Sequence, residues 1–189
     1  MTAGRATPGD SAGTAALGDG TAAPGEGPGA LPDPWLEAYP LVPASAGAMI
    51  FDRAGRLLIL KPTYKSGWTI PGGVMEAGGE SPWQACRREV REETGLDITS
   101  GRLACVDFRR PKPGNPGGIR FLFDCGRLSD AALRAVTLQA EEISEHRLVP
   151  MKEALALLRK PIRRRVRAAR TAGAPRYLEN GRPAGGVTG

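Results

Sequence analysis

Hydrophobic residues recur from residue 44 onward in short runs whose spacing alternates between that of strands and that of helices. The apolar runs 44–51 and 56–60 flank the turn-forming sequence Asp-Arg-Ala-Gly, a pattern that predicts a β-hairpin. Further extended segments are predicted at residues 67–70, 103–108, 119–123 and 143–149.

Residues 81–94 carry the strongest helical pattern of the chain. Ser81 is a favourable N-cap, Pro82 suits the first helical position, and Gly95 is a typical C-terminal stop. Two more helices are predicted at residues 151–158 and 161–172. Strands and helices that alternate in this way predict an α/β domain, with a mixed sheet and helices packed against it.

Glycine and proline are unusually frequent, at 26 and 17 of the 189 residues, and many of them lie near the N-terminus. Residues 1–33 contain few large apolar side chains, so they cannot bury enough surface to offset the entropy of ordering. We therefore predict a disordered tail over residues 1–33, a folded domain over residues 34–172, and a loose C-terminal tail over residues 173–189. Within that last segment, Tyr177 and Leu178 are the side chains that could dock on the domain.

Cysteine usage and hydropathy exclude several classes of protein. Three cysteines without a C-x-x-C spacing exclude a disulfide-dense scaffold, and a single histidine, His146, cannot form a zinc site. No apolar run approaches the ~18 residues of a membrane span, and the first residues lack the pattern of a secretory signal. We expect a cytoplasmic protein that has no membrane partner.

Positive charge is concentrated near the end of the predicted domain. The net charge is +6, yet residues 152–170 alone contain eight lysines or arginines and one acid. Such a stretch could attract phosphates, RNA or an acidic partner, or it could be a solvated face of a helix. The arginines at 163–165, together with Arg167, motivate a function in processing RNA ends.

Three glutamates of the strongest predicted helix lie on one face of it. Glu89, Glu92 and Glu93 occupy positions i, i+3 and i+4, and their like charges repel unless a cation compensates them. Hard divalent ions such as Mg²⁺ and Mn²⁺ prefer carboxylate oxygens as ligands. The glycine-rich turn before the helix allows the backbone to approach a ligand closely. The pattern indicates a divalent metal site, and the alternative is a solvated acidic helix with Arg–Glu pairs.

The spacing of these residues is similar to that of a known sequence signature. From Glu80 to Leu96 the chain reads E-x7-R-E-V-x-E-E-x-G-L. It resembles the signature box of the Nudix hydrolase family, G-x5-E-x7-R-E-U-x-E-E-x-G-U, where U is a bulky aliphatic residue. Here the box starts at Gly73 and contains one extra residue within the turn 77–79. The resemblance implies a Nudix-like α/β/α sandwich with a mixed β-sheet.

The resemblance also implies an activity, which is Mg²⁺-dependent hydrolysis of a pyrophosphate bond in a nucleoside diphosphate linked to another group. Mn²⁺ is the alternative ion. The resemblance implies that Glu89 and Glu93 are the main metal ligands. It also implies that Glu92 is a further ligand or the group that activates water, and that the carbonyl of Gly72 is an extra ligand. The partner would be a small-molecule nucleotide, and members of the family are often homodimers.

Supporting roles follow from the same resemblance. Arg88 would orient the glutamates through salt bridges, and Glu80 would support Arg88. The family often places another acid far along the chain as a base or ligand, and here Glu141 and Glu142 precede the last predicted strand. Glu142 is the preferred candidate for that base or extra ligand.

The substrate is less well determined than the chemistry. Pro111 lies fifteen residues beyond Leu96, a position similar to that of a proline in the family's ADP-ribose pyrophosphatases. This favours ADP-ribose-type or nucleotide-sugar substrates. Two other functions stay open: an RNA-end processing hydrolase, and a non-catalytic nucleotide-binding or regulatory module. The extra residue in the glycine-rich turn is the observation that supports the non-catalytic module.

Overall fold

A computed structural model of the chain describes residues 41–170 and 173–187. The tail predicted over residues 1–33 therefore lies outside the described residues, as do positions 171 and 172 at the end of the last predicted helix. Among the described residues, no helix combines the length and the apolar character needed to cross a membrane. The elements, in chain order, are β1 (Ala44–Phe51), β2 (Leu57–Pro62), β3 (Gly72–Val74), α1 (Pro82–Thr94), β4 (Arg102–Arg109), β5 (Gly118–Arg127), α2 (Asp130–Arg134), β6 (Ile143–Val149), α3 (Met151–Leu157), α4 (Lys160–Arg170), β7 (Arg176–Glu179) and β8 (Arg182–Pro183).

All of these strands belong to one mixed sheet. Seven of them are ordered β6-β2-β1-β5-β4-β7-β8 across the sheet, and β3 pairs separately with β1. Strand β1 is parallel to β5 and β4 is parallel to β7, whereas the other neighbours are antiparallel. The predicted hairpin is β1–β2, and its turn is closed by the Gly55 N–H, which donates to the carbonyl of Asp52.

Different helices cover the two faces of the sheet. Successive side chains of a strand point to opposite faces, so the residues of β2 show which helices lie on each face. Leu57 and Ile59 of β2 pack in one hydrophobic cluster with residues of α3 and α4. Leu58 and Leu60 pack in a second cluster with residues of α1 and α2. All four of these side chains are fully buried. The protein is therefore an α/β/α sandwich with a mixed β-sheet, and the predicted fold class is confirmed.

The C-terminal segment differs from its prediction. Residues 176–183 form β7 and β8 at one edge of the sheet, so the loose tail predicted over residues 173–189 is wrong there. Leu178 is fully buried, and the Gly181 N–H donates to Asp107 Oδ1 at 2.8 Å. The burial of Leu178 and the hydrogen bond of Gly181 both depend on contacts with distant parts of the chain, so the local sequence gives little sign of either.

Helix α4 holds most of the basic stretch, and it is not a uniformly solvated face. Arg167 is exposed, whereas only 14% of the Arg165 side chain is exposed, and its Nη1 donates to Asp107 Oδ2 at 3.3 Å. Arg164 Nη1 donates to the carbonyl oxygen of Asn180 at 3.3 Å. The arginine run therefore ties α4 to β4 and to the turn between β7 and β8. The prediction of a solvated helix face is wrong for Arg165.

Candidate functional site

Helix α1 presents the candidate site, and its local sequence determines both of its ends. The Ser81 hydroxyl accepts the Gln84 N–H, and the Gln84 side chain accepts the Ser81 N–H, so a capping box closes the N-terminus. At the other end Gly95 adopts a φ of +70°, the usual conformation of a C-terminal stop. Three fully buried side chains hold the helix against the sheet: Ala85, Cys86 and Val90.

The three glutamates of α1 differ in burial. The exposed fraction is 48% for the Glu92 side chain, 14% for the Glu89 side chain and 4% for Glu93. They therefore form a gradient from solvent to the interior along one face of the helix. A buried carboxylate is costly unless hydrogen bonds or an opposite charge compensate it, so the neighbours of each one are informative.

Arg88 donates hydrogen bonds to three carboxylates at once. Its Nε and Nη2 donate to the two oxygens of Glu80 at 2.8 and 3.1 Å. Its Nη1 donates to Glu89 Oε1 at 3.0 Å and to Glu92 Oε2 at 2.9 Å, and Nη2 also donates to the carbonyl of Val74. These hydrogen bonds, above all the one to Glu80, raise the pKa of the guanidinium above its ordinary value. Arg88 is therefore a permanent cation that holds Glu89 and Glu92 in fixed orientations.

The extra residue in the turn does not separate Glu80 from Arg88. Gly78 and Gly79 adopt φ values of +93° and +90°, which glycine reaches without strain, and no atom lies within 4 Å of where their Cβ atoms would be. The insertion is thus absorbed by a bulge into open space. After it, Glu80 Oε2 accepts the Glu76 N–H at 2.7 Å, so the turn is closed again before α1 begins.

Glu93 lacks the cationic partner that its neighbours have. Among the described residues its one hydrogen bond comes from the backbone, because the Gly72 N–H donates to Oε2 at 2.7 Å. Burial is the main cause that raises the pKa of Glu93 to about 8, and the charges of Glu89 and Glu142 act in the same direction. The hydrogen bond from Gly72 and the positive charge of Lys65 act in the opposite direction. Burial also raises the pKa of Glu89. The site therefore concentrates negative charge beyond what Arg88 compensates.

Two glycines of β3 allow these carboxylates to reach the backbone. A Cβ atom on Gly73 would lie 2.4 Å from Glu89 Oε1. Gly72 has a φ of +140°, and a Cβ atom there would lie 2.3 Å from the carbonyl oxygen of Ala46. Neither position can carry a side chain without a shift of the backbone or of Glu89. The Gly72 N–H faces Glu93, and a role of its carbonyl as a metal ligand stays a prediction.

Glu142 acts on the same cluster from a distant part of the chain. Its charge raises the pKa of both Glu89 and Glu93. The turn that carries it is tied to the segment after β2, because the Thr63 N–H donates to the carbonyl of Glu142 at 2.8 Å. The Thr63 hydroxyl donates to the carbonyl of Glu141 at 2.7 Å. Both acidic residues are exposed, and Glu142 adds a further negative charge to the site.

The chemistry of these donors fits a hard divalent cation. Carboxylate oxygens are the ligands that such ions prefer, and the described residues pair no lysine or arginine with Glu93. Within the described ranges, no three acidic, histidine or cysteine side chains already converge on one point. Glu89 and Glu92 each accept a hydrogen bond from Arg88.

A cavity of about 270 Å³ is lined in part by the same two glycines, and reasoning from the sequence missed it. Residues 45–47, 72–74 and 121–122 line it with strand backbone and small side chains. We call it the cationic cavity, because its lining contains no acid and five basic side chains: Lys65, Arg109, Arg120, Arg159 and Arg165. These five are spread over residues 65–165, so no local motif could have revealed them.

Known proteins are similar to this chain in sequence and in fold. A family model described as the NUDIX domain matches residues 41–169. A MutT-like protein of Streptomyces ambofaciens is 30% identical over 112 residues, which are 56% of this chain and 70% of that protein. The chain spans 33% to 70% of the length of the curated relatives it matches.

Solved structures give the same result for the fold. The MutT protein from Methanosarcina mazei Go1 is 27% identical with a TM-score of 0.57, over 68% of this chain and 94% of that chain. The NUDIX domain of Shewanella oneidensis NrtR, solved with ADP ribose, is 18% identical with a TM-score of 0.59, over 74% of this chain and 92% of that chain.

Proposed function

The chain belongs to the Nudix hydrolase family, and on this premise we propose that it is a divalent-metal-dependent pyrophosphohydrolase. Its substrate class is a nucleoside diphosphate linked to another group. The observation that carries the proposal is Glu93, a buried carboxylate with a pKa raised to about 8 that lies beside Glu89. A strongly perturbed carboxyl group beside other carboxylates is typical of a functional site, and a bound cation would favour its deprotonated form. Among the described residues Glu93 forms no ion pair, although the charge of Lys65 acts on it.

Each residue of the site has a role in this proposal. Glu89, Glu93 and Glu92 would hold the ion, with the carbonyl of Gly72 as a further oxygen donor. A bound Mg²⁺ or Mn²⁺ supplies neutralisation of the pyrophosphate oxygens and makes water more acidic. Arg88, supported by Glu80, orients Glu89 and Glu92.

Glu142 is the proposed base. It is exposed at the edge of the cluster, where its carboxylate would accept the proton of the attacking water. The water oxygen forms a bond to one phosphorus, and the bridging P–O bond breaks. The products are two phosphate monoesters, such as a nucleoside monophosphate and the phosphate of the linked group. Little covalent chemistry is left for the protein itself.

Two structural observations weigh against the alternatives. The insertion in the turn, which favoured a non-catalytic module, leaves the Arg88–Glu80 contacts at 2.8 and 3.1 Å. The arginine run of α4, which favoured RNA ends, is partly engaged within the fold through Arg165 and Arg164. Within the proposed class, Pro111 favours ADP-ribose-type or nucleotide-sugar substrates.

The proposal is tested by a panel of ADP-ribose, dinucleoside polyphosphates, nucleotide sugars and nucleoside triphosphates, incubated with Mg²⁺ or with a chelator. We expect cleavage of one class with Mg²⁺ and none with the chelator, with products separated by ion-exchange chromatography. Glu89→Gln should lower the rate by about 10- to 100-fold. The control Glu153→Gln changes an exposed acid of α3 and should retain full activity. Absence of cleavage, with Mg²⁺ still raising the melting temperature, would reject the enzyme in favour of a binding module.

A further inference from the structure

The cationic cavity carries positive charge that the described residues leave mostly uncompensated. Arg165 is the one basic residue of the lining with a carboxylate partner there, Asp107. Arg120 donates to three backbone carbonyls and to no acid. In the described part of the chain, the remaining three make no ion pair: Lys65, Arg109 and Arg159.

The arginines of this cavity are also close enough to repel one another. Burial lowers the pKa of both Arg120 and Arg165, and the charge of Arg109 acts in the same direction on each. A guanidinium nevertheless stays protonated at neutral pH, so the repulsion persists. An anion placed among these side chains would relieve it. Phosphate is well matched, because guanidinium groups bind its oxygens in a bidentate geometry.

The shape of the cavity suits a small anionic group better than a nucleobase. Its volume of about 270 Å³ is smaller than the ~300–1,000 Å³ of pockets that enclose a whole small ligand. Phe121, which is half-buried, is the one aromatic residue among those that line it. Bases usually bind by stacking on aromatic side chains, and here cations outnumber aromatic residues five to one.

The cavity and the acidic cluster meet at the same two glycines. Gly72 and Gly73 line the cavity, while the Gly72 N–H donates to Glu93 and the Glu89 carboxylate lies against Gly73. A substrate whose pyrophosphate is held at the glutamates and whose end group enters the cavity would therefore lie along these two glycines.

We propose that the cationic cavity binds a phosphorylated end group of the substrate. The substrate class is thereby narrowed to nucleotides that carry at least one phosphate beyond the pyrophosphate that is cleaved. Either a longer polyphosphate chain or a phosphate on a sugar supplies this chemistry. The inference rests on the proposed function, because it takes cleavage to occur at the glutamates of α1.

Two matched substrate pairs distinguish the two sources. Diadenosine diphosphate and diadenosine tetraphosphate differ in the length of the polyphosphate chain, and ADP-ribose and ADP-ribose 2′-phosphate differ by one sugar phosphate. With Mg²⁺, the wild-type enzyme should have the higher kcat/KM for the phosphate-richer member of one pair. A preference in the first pair assigns the polyphosphate chain, and a preference in the second assigns the sugar phosphate.

Variants of the unpaired arginines identify the cavity as the source of the preference. Arg109→Gln and Arg159→Gln should each raise the KM for the phosphate-richer substrate by about 10- to 100-fold, the effect of losing one charged hydrogen bond. The kcat, and the KM for the other member, should change little. The control Arg53→Gln changes an exposed arginine in the turn between β1 and β2 and should leave all of these values unaltered. Thermal melts check that the variants are folded.

A binding measurement separates this inference from the proposed function. Tripolyphosphate titrated into the metal-free protein by calorimetry should bind to the wild type and to Arg53→Gln, and about tenfold more weakly to Arg109→Gln. That result supports the cavity even when no substrate is cleaved. Equal kcat/KM values within both pairs, with tripolyphosphate binding unaffected by Arg109→Gln and Arg159→Gln, would overturn the inference and leave the hydrolase proposal intact.

Discussion

Two buried carboxylates, Glu93 and Asp107, are compensated in different ways. Asp107 is 1% exposed and accepts the Gly181 N–H at 2.8 Å and Arg165 Nη1 at 3.3 Å. Glu93 is 4% exposed, accepts a single N–H from Gly72, and lies beside a second carboxylate. Asp107 has an ion pair built into the fold, whereas Glu93 forms none among the described residues, and only the charge of Lys65 acts on it.

This difference distinguishes an acid that holds the fold together from one that is prepared for a ligand. Burial of a charge is tolerated when a partner and hydrogen bonds satisfy it, as they do at Asp107. At Glu93 the same burial raises the pKa to about 8, so the metal-free protein favours its protonated form. A perturbed acid next to a cavity is a candidate functional residue, and a paired buried acid is a structural one.

The largest expected effect is on turnover. Glu93→Gln keeps the size of the side chain but removes the charge that would bind the ion, so kcat should fall by about 10²–10⁴-fold. The melting temperature of the metal-free protein should change little near pH 7, because the Glu93 side chain there is already mostly protonated and therefore neutral. Steady-state kinetics and thermal denaturation measure the two effects, with Glu153→Gln as the control. Activity within a few-fold of the wild type would show that Glu93 is not part of the metal site.

Asp107→Asn should mainly lower stability, whereas Glu93→Gln mainly lowers turnover. It leaves the charge of Arg165 buried without a partner, so the free energy of unfolding should fall by about 3–5 kcal/mol. Urea denaturation measures this. The control Asp124→Asn removes an acid whose partner Arg102 is half exposed, and it should cost about 1 kcal/mol or less. If the two variants were equally stable, the pairing of Asp107 with Arg165 would not contribute to the stability of the fold.

Glu93 should also make the stability of the protein depend on pH. The pKa of Glu93 is about 8 in the folded protein and near 4.5 when unfolded, so between these values the folded state retains a proton that the unfolded state has released. The stability of the metal-free protein should therefore fall as the pH rises from about 5 to about 8.

This fall in stability is tested by unfolding the protein in urea between about pH 5 and about pH 8, with a chelator present. Stabilisation by Mg²⁺ should grow over the same range, because the ion binds the deprotonated carboxylate. In Glu93→Gln both trends should be much weaker. A wild-type pH profile identical to that of the variant would contradict the assignment.

The smallest effect is expected at the turn that precedes α1. Deletion of Gly79 restores the spacing of the family's box, and a Cβ atom at Gly79 would point into open space. The rate and the melting temperature should change little, since Glu80 already reaches Arg88. A large gain in kcat on deletion would mean that the insertion lowers activity in the native chain.

Much of the fold could be predicted from local sequence signals. Ser81, Pro82 and Gly95 mark the ends of α1, and helical periodicity alone places Glu89, Glu92 and Glu93 on one face. The alternation of strands and helices indicates the layered architecture. These features depend on residues a few positions apart, which is why the sequence reports them reliably.

The remaining features depend on contacts between distant segments. Arg165 looks like part of a solvated basic helix, and only the placement of α4 against β4 shows that it pairs with Asp107. Strand β7 is four residues long, and its parallel pairing with β4 has no local signature. The cationic cavity likewise gathers arginines from several elements. No spacing rule connects residues so far apart in the chain.

The pairing of β7 with β4 has a consequence for where the domain ends. The NUDIX match stops at residue 169, yet β7 lies beyond it and covers one side of β4. A chain shortened at that boundary would expose a row of unpaired N–H and C=O groups along β4. Such an edge is a template for strand exchange between molecules. Strand β7 therefore protects β4 from self-association, and a version ending at residue 169 is expected to aggregate.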